Sequence, residues 1–356
     1  MKGLLLAGGH GTRLRPLTYT GNKHMLPIAN KPMLSYGLEH LRNAGIKEIG
    51  IILGPIKEGV IETLGDGSAF GVNITYIDQP DPKGLAHAVL VSEDFMDDEP
   101  FVMYLGDNLL RQGVSDFVSK FQSERLDCVV GVCPVGDPSR FGIAELDGEG
   151  KIVKLVEKPK EPKSNLALIG VYVFGPSIFN AARKIKPSWR NELEITDAIQ
   201  MLLYDRKRVG AVHVSGWWKD TGKPEDLLEA NQLILSDIET NILGSLSDQT
   251  KITGNLQMGA GSKTVGEVNI RGPVTIGSNC VIGPDVYIGP YTAIGDNCTV
   301  GNAEIENSII MRDCNIQSGQ RITDSLIGNY SVISDGNGSL PKGYRLILGE
   351  RSFAQL

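Results

Sequence analysis

Between Leu6 and Leu14 the chain reads Leu-Ala-Gly-Gly-His-Gly-Thr-Arg-Leu, directly after an apolar run. Gly8, Gly9 and Gly11 place no side chain between their backbone N–H groups and a ligand, so such a loop can close on a polyphosphate. Arg13 adds a fixed cation two residues after the last glycine. The spacing is neither GxxxxGK[ST] nor GxGxxG, and taken alone it suits an anion-binding loop and an ordinary tight turn equally well. Further on, Lys23 and Lys31, set among Pro16, Pro27 and Pro32, add two more cations near the same loop. The chemistry to consider is therefore the binding of phosphate.

Composition allows this only as a local site. The 356 residues carry 35 Lys+Arg against 42 Asp+Glu, a net charge of −7, which argues against general binding of nucleic acid or an acidic membrane. The first apolar window, after MK, runs straight into glycines and Arg13, and no run of about 18 apolar residues follows, so neither a signal peptide nor a membrane span is expected. Five cysteines without a CxxC pair indicate neither a zinc knuckle nor a disulfide framework, and a cytoplasmic protein is expected.

The elements that must position the loop follow from apolar periodicity. From Lys2 to about Gly216, KGLLLA, EIGIIL, FVMYL and DCVVGV read as strands buried on both faces, with helices expected over Met33–Asn43 and Gly84–Phe95. This is the pattern of an α/β domain with a largely parallel sheet. GIAEL-DGEG-KIVKLV reads as a hairpin flanking a pocket. Pro224 to Ser236 reads as a connector helix, with a domain boundary near 237–247.

Beyond that boundary the period changes to six. Ile252, Met258, Thr264, Ile270, Ile276, Ile282, Ile288, Ile294 and Val300 recur without a slip, and glycines follow most of them. In such a hexapeptide repeat each hexad supplies a short strand and a turn, three hexads close a triangular coil, and stacked coils bury one another's faces. The phase breaks at Glu306 and resumes at Ile310, Ile316 and Ile322, which implies a shortened or looped corner. Cys280 and Cys298, 18 residues apart, are expected to stack in adjacent coils as small buried residues. The repeat resembles left-handed parallel β-helix proteins.

The opening segment, GGHGTRLRPLT…NKHMLPIANKP, resembles the signature of sugar-1-phosphate nucleotidylyltransferases, most closely the glucose-1-phosphate thymidylyltransferases with an additional C-terminal β-helix. Six further segments stand in the family's order: YIDQPDPKGLA (76–86), LGDN (105–108), Phe141-Gly142, VEKP (156–159), ELEITD (192–197) and WKDTG (218–222). The resemblance implies a Rossmann-like α/β nucleotidyltransferase domain with a mixed, mainly parallel sheet over residues 1–240. A left-handed parallel β-helix over 248–356 is expected to follow. It also implies attack by a sugar-1-phosphate oxygen on the α-phosphorus of a nucleoside triphosphate, with release of pyrophosphate. Because anions must meet and part, the protein is expected to supply a metal ion and cations.

By this resemblance Gly8, Gly9, Gly11, Thr12, Arg13 and Lys23 hold the triphosphate, with Arg13, Lys23 and Lys158 as the catalytic cations. Gln79 and Gly84 match the pyrimidine contacts. His24 stands where many thymidylyltransferases have glutamine, which leaves dTTP and UTP both open as nucleotide. Asn108, Gly142, Glu157, Lys158 and Leu168 would form the sugar pocket, and Asp107 and Asp220 would hold Mg2+. Glu192 and Asp197 could be only a helix-capping arrangement.

Some relatives with such a β-helix also acetylate amino sugars, commonly through a histidine base. All five histidines here (His10, His24, His40, His87 and His213) precede the repeat, which disfavours that activity. The β-helix is expected instead to mediate homo-oligomer assembly, with Gly343–Leu356 packing back over the coils. A catalytically silent subunit is the remaining alternative, and it would be expected to have lost the phosphate loop or the carboxylates.

Overall fold

The computed structural model describes residues 1–334 and 350–355. Its first unit is built on a nine-stranded sheet. The centre is Lys2–Ala7, parallel to Phe101–Leu105 on one side and to Glu48–Leu53 on the other, with Asn73–Asp78 beyond. Strands with helical crossovers are covered on both faces, which is why KGLLLA can be apolar nearly throughout: Leu4, Leu5 and Ala7 are wholly buried. The sheet is mixed because Leu166–Phe174 runs antiparallel to Phe101–Leu105 and to Cys128–Pro134. The hairpin Gly142–Leu146 and Ile152–Glu157 extends it, joined to Leu166–Phe174. Two apolar cores lie against the sheet, one around Leu4, Phe101 and Phe174 and the other around Leu5, Leu38 and Tyr104.

The helix Met33–Asn43 covers the expected residues, whereas the stretch expected as one helix over Gly84–Phe95 divides into Leu85–Val91 and Glu93–Met96. Ser92 makes the break: both its N–H and its Oγ donate to the Val89 carbonyl, a local alternative to the helical ladder.

The second unit is a left-handed parallel β-helix whose faces are three parallel sheets of six, five and five strands. Ile252 pairs with Ile270 and Ile270 with Ile288, so one turn is 18 residues. All the repeat residues from Met258 to Val300 point inward and are buried, Thr264 among them. The corner residues Asn279, Asp285, Tyr291 and Asn297 take the left-handed conformation at six-residue intervals, and then Asn302 and Asn307 come at intervals of five. Those two shortened corners resolve the phase break. Ile305, not Glu306, fills the inward place beside Ile288, and Glu306 remains outside to pair with Arg321. Cys280 and Cys298 are buried free thiols in successive coils, with Cys314 in the next. A twelve-residue helix, Pro224–Leu235, precedes the coils. Most of the segment Gly343–Leu356 lies outside the described residues, and Phe353 within it is exposed.

No helix among the described residues is long and apolar enough to cross a membrane.

Candidate active site

Three strands of the first unit end on the same edge of the sheet. Gly8 follows Ala7, Gln79 follows Asp78, and Asp107 stands two residues after Leu105. Adjacent parallel strands must deliver their carboxyl ends together, so residues distant in sequence converge there. A cavity of about 210 Å³ lies at this edge, lined by Gly8, Gly9, Lys23, His24, Gln79, Gly84, Leu85, Asp107 and Glu192 among others. Seven of the residues expected to bind nucleotide or metal thus surround one space.

The glycines are needed for room. A Cβ on Gly8 would meet Gln79 Oε1 at 3.3 Å, and one on Gly9 would meet Lys23 Cε at 3.2 Å. Gly84, at φ +105°, passes so close to Leu193 that a Cβ would lie 2.4 Å from its carbonyl oxygen. Gly11 also has positive φ.

Lys23 and Asp107 form an ion pair with little solvent exposure, and Asn108 Nδ2 donates to the second Asp107 oxygen at 2.8 Å. Burial by itself would raise the Asp107 pKa, but the Lys23 ammonium and the donated hydrogen bonds hold it well below the usual carboxylate range. His24 is fully buried. Burial, reinforced by the Lys23 charge and opposed by Asp107, pushes its pKa down to about 3, so the ring is neutral at physiological pH. Its position is set by Asn22, which sequence reasoning did not single out. Asn22 Oδ1 faces His24 Nδ1 at 2.7 Å and accepts from the His24 N–H at 2.9 Å, while Nδ2 donates to the carbonyls of Ala7 and Ile56. One short amide therefore ties the end of the first strand to the Lys23-His24 segment.

Asp220 comes from the other end of the unit. The strand Trp218–Asp220 pairs antiparallel with Asn108–Leu110, putting Asp220 opposite Asn108 and next to Asp107 along the ladder. Asn108 is the buried hub here: its Oδ1 accepts from Trp218 Nε1 at 2.7 Å and from the Gly170 N–H at 3.2 Å. Its described bonds thus fasten Asp107 to the strand Leu166–Phe174. The oxygen donors of Asp107 and Asp220 fit a hard divalent cation. Among the described residues no three or more His, Cys, Asp or Glu are arranged to hold a metal ion by themselves, so phosphate and water oxygens would complete the shell, as is usual for Mg2+.

A second cluster gathers Gly142, Glu157, Lys158 and Leu168. A Cβ on Gly142 would strike Thr196 Oγ1 at 2.7 Å and approach Glu157 and Leu168. Thr196 donates to Glu157 at 2.7 Å, with Lys158 Nζ 3.8 Å and Arg190 Nη2 3.5 Å away. Burial raises the Glu157 pKa against these opposing contacts. Arg190 is the second residue that sequence reasoning missed. It is bound bidentately by the buried Glu194 and paired with Glu192, and Ser188 donates to the same Glu194. The acidic run is therefore no side-chain cap: the helix Ile195–Tyr204 has none. Its clue in the sequence was an arginine followed by alternate glutamates, which set a cation in place.

Thr12 and Arg13 fall in the second unit, in the short 3-10 turn Thr12–Leu14. There Arg13 lies against Gly222, whose added Cβ would be 3.3 Å from the guanidinium.

A mixed sheet with its cavity outside the carboxyl ends of parallel strands defines an α/β protein whose ligand site is made by loops from several crossovers. A family model described as nucleotidyl transferase matches residues 2–237, and another described as GMPPB C-terminal domain matches residues 265–338. The chain belongs to the nucleotidyl transferase family. It is 48% identical to the low-salt glycan biosynthesis nucleotidyltransferase Agl11 of Haloferax volcanii, over 100% of both chains. It is 43% identical to a glucose-1-phosphate thymidylyltransferase of Streptomyces griseus, over 100% of this chain and 99% of that one. Among solved structures, a UDP-glucose pyrophosphorylase complexed with UDP-glucose superimposes with a TM-score of 0.60 at 31% identity, covering 67% of this chain and 99% of the other.

Proposed function

We propose that the protein transfers a nucleotidyl group from dTTP to glucose-1-phosphate, giving dTDP-glucose and pyrophosphate. The observation that carries this reading is the Lys23–Asp107 pair beside the Gly8-Gly9 backbone, in a cavity also lined by Gln79 and Gly84. A cation, a carboxylate and an amide side chain around one cavity support the reading that a triphosphate and a base bind there together. The full-length likeness to a glucose-1-phosphate thymidylyltransferase supports the choice of substrates.

In this reading the Gly8–Gly11 backbone and Thr12 cradle the phosphates, while Arg13 and Lys23 carry the charge of the departing pyrophosphate. Lys158, with Arg190 nearby, holds the sugar phosphate for in-line attack on the α-phosphorus. Glu157, Gly142, Leu168 and the Asn108-supported loop receive the sugar hydroxyls. Asp107 and Asp220 would hold Mg2+, which when bound neutralises charge on the phosphate oxygens. Before the triphosphate enters, Lys23 balances Asp107, so the carboxylate is kept ionised for a cation.

UTP is the second reading. Gln79 can pair with an edge that uracil and thymine share, and the similar solved structure is of a UDP-glucose enzyme. Cytoplasmic residence and assembly through the β-helix belong to the same proposal. The deciding experiment is pyrophosphate release with glucose-1-phosphate and magnesium, supplying dTTP, UTP, ATP, CTP and GTP separately. Preference for dTTP supports the first reading and preference for UTP the second. Release with none of them overturns both.

A further inference from the structure

Gln79 is held at two points by acceptors of the first unit. Its Nε2 lies 2.9 Å from His87 Nδ1 and 3.4 Å from the carbonyl oxygen of Gly84. An amide nitrogen only donates, so His87 Nδ1 is the acceptor and the ring is neutral with its proton on Nε2. With Nε2 directed at these two groups, Oε1 is left on the side of Gly8, in the cavity. The surroundings keep the ring neutral: partial burial and the nearby Lys83 lower the His87 pKa from its ordinary value of 6.5, and Asp81 opposes them. Neither Asn nor Gln amides have an intrinsic preference between their two orientations, so some partner must choose, and of the two acceptors in reach His87, on the first turn of Leu85–Val91, makes the shorter contact.

We infer that His87 is a positioning residue for base selection: by accepting from Gln79 Nε2 it turns Gln79 Oε1 to the ligand, which favours a pyrimidine bearing N–H at ring position 3 over one with a bare ring nitrogen there. The inference rests on the cavity being the nucleotide pocket proposed above. Thymine and uracil have a donor at that position and cytosine has an acceptor. Two acceptors facing each other in a partly desolvated pocket leave both unpaired, which is how a polar site rejects a near-isostere. Without His87 only the longer contact to the Gly84 carbonyl opposes turning the Gln79 amide over to offer its NH2 to cytosine.

The test compares kcat/KM for dTTP and dCTP in the full-length wild type, His87→Leu and His87→Gln, with thermal unfolding as the check on folding. The leucine variant removes the acceptor, whereas the glutamine variant retains one in its side-chain oxygen. The dTTP/dCTP ratio is expected to fall at least about tenfold in His87→Leu, with the change in KM, and to recover in His87→Gln. N3-methyl-dTTP, which lacks the ring N–H, should be disfavoured relative to dTTP by the wild type and much less so by His87→Leu. A merely structural role for His87 would weaken all three nucleotides alike. A dTTP/dCTP ratio within about twofold of wild type in folded His87→Leu overturns the inference while leaving the pocket reading intact. A wild type that binds neither nucleotide overturns the pocket reading and the inference with it.

Discussion

At the scale of single residues, the site is a set of compensated charges. Asp107 has little solvent exposure, yet it stays ionised because Lys23 and Asn108 stand against it. Replacing it by asparagine preserves the shape and removes the charge that a cation needs. Asp107→Asn is therefore expected to lower pyrophosphate release at least about a hundredfold, with a lower melting temperature as well, because the little-exposed Lys23 ammonium loses its partner. His24 makes a different prediction. Its folded pKa, about 3, lies below the ordinary 6.5, so the unfolded chain takes up the proton first as pH falls. The stability it contributes is complete above pH 6.5 and is lost as pH drops from there toward 3, at up to about 1.4 kcal/mol per pH unit. Urea unfolding between pH 7 and about 4.5 should show a steeper loss in wild type than in His24→Gln. The glycines and Lys23 stood out in the sequence because their types and spacing suit phosphate chemistry, whereas Asp107 was reached only through the family resemblance. Asn22 and Arg190 did not stand out, since a lone amide and one arginine amid glutamates acquire meaning only from what they touch.

At the scale of elements, the loop before Leu85 is built against another backbone. The Leu193 N–H donates to the Lys83 carbonyl and the Ala86 N–H to the Leu193 carbonyl, so Gly84 is clamped between them. Gly84→Ala would combine a positive φ with a 2.4 Å clash against backbone that cannot rotate aside. The expected outcome is a loss of about 2–4 kcal/mol in denaturant unfolding together with at least a tenfold rise in KM for the nucleotide. The hairpin after Gly142 was readable from two strand-like runs around a Gly-rich turn, and the largely parallel character of the sheet from the alternation of apolar runs with amphipathic stretches. Splitting of the helix at Ser92 was not, because the sequence pattern on either side remains helical and only the local bonds of Ser92 to Val89 decide the break. In the β-helix, the inward register could be read through Val300. The placement of Ile305 could not, since two five-residue corners together look like a single phase error.

At the scale of the whole molecule, the opening signature is divided between the two units. Thr12–Thr20 and Leu26–Pro32 group with the residues from Thr221 onward, while Gly21–Met25 belongs with the first unit. Within the second unit, Asn30 Nδ2 donates to the Ile294 carbonyl at 2.7 Å and the Ala29 N–H to Asn231, which itself donates to the Tyr291 carbonyl. Both Ala29 and Asn30 hold left-handed backbone conformations. A chain ended at residue 240 would keep Gly8, Lys23 and Asp107 but lose Tyr291 and Ile294, leaving the turn that follows Lys23 without these partners. Its pyrophosphate release is expected to fall at least about tenfold, with faster amide exchange over residues 26–32. Asn30→Ala, losing one of those bonds, should give a smaller change in the same direction.

Local and periodic properties were settled by the sequence alone. Apolar runs separated by amphipathic stretches dictate an α/β unit, and a six-residue repeat dictates a coil, because each depends only on neighbours along the chain and on burial of one face. Proximity between distant residues was decided by the tertiary structure. Parallel strand order brings Gly8, Gln79 and Asp107 to one edge, and an antiparallel pair sets Asp220 beside them. Such meetings depend on which strands become neighbours, and no stretch of sequence short enough to read for a pattern contains both partners and the path between them.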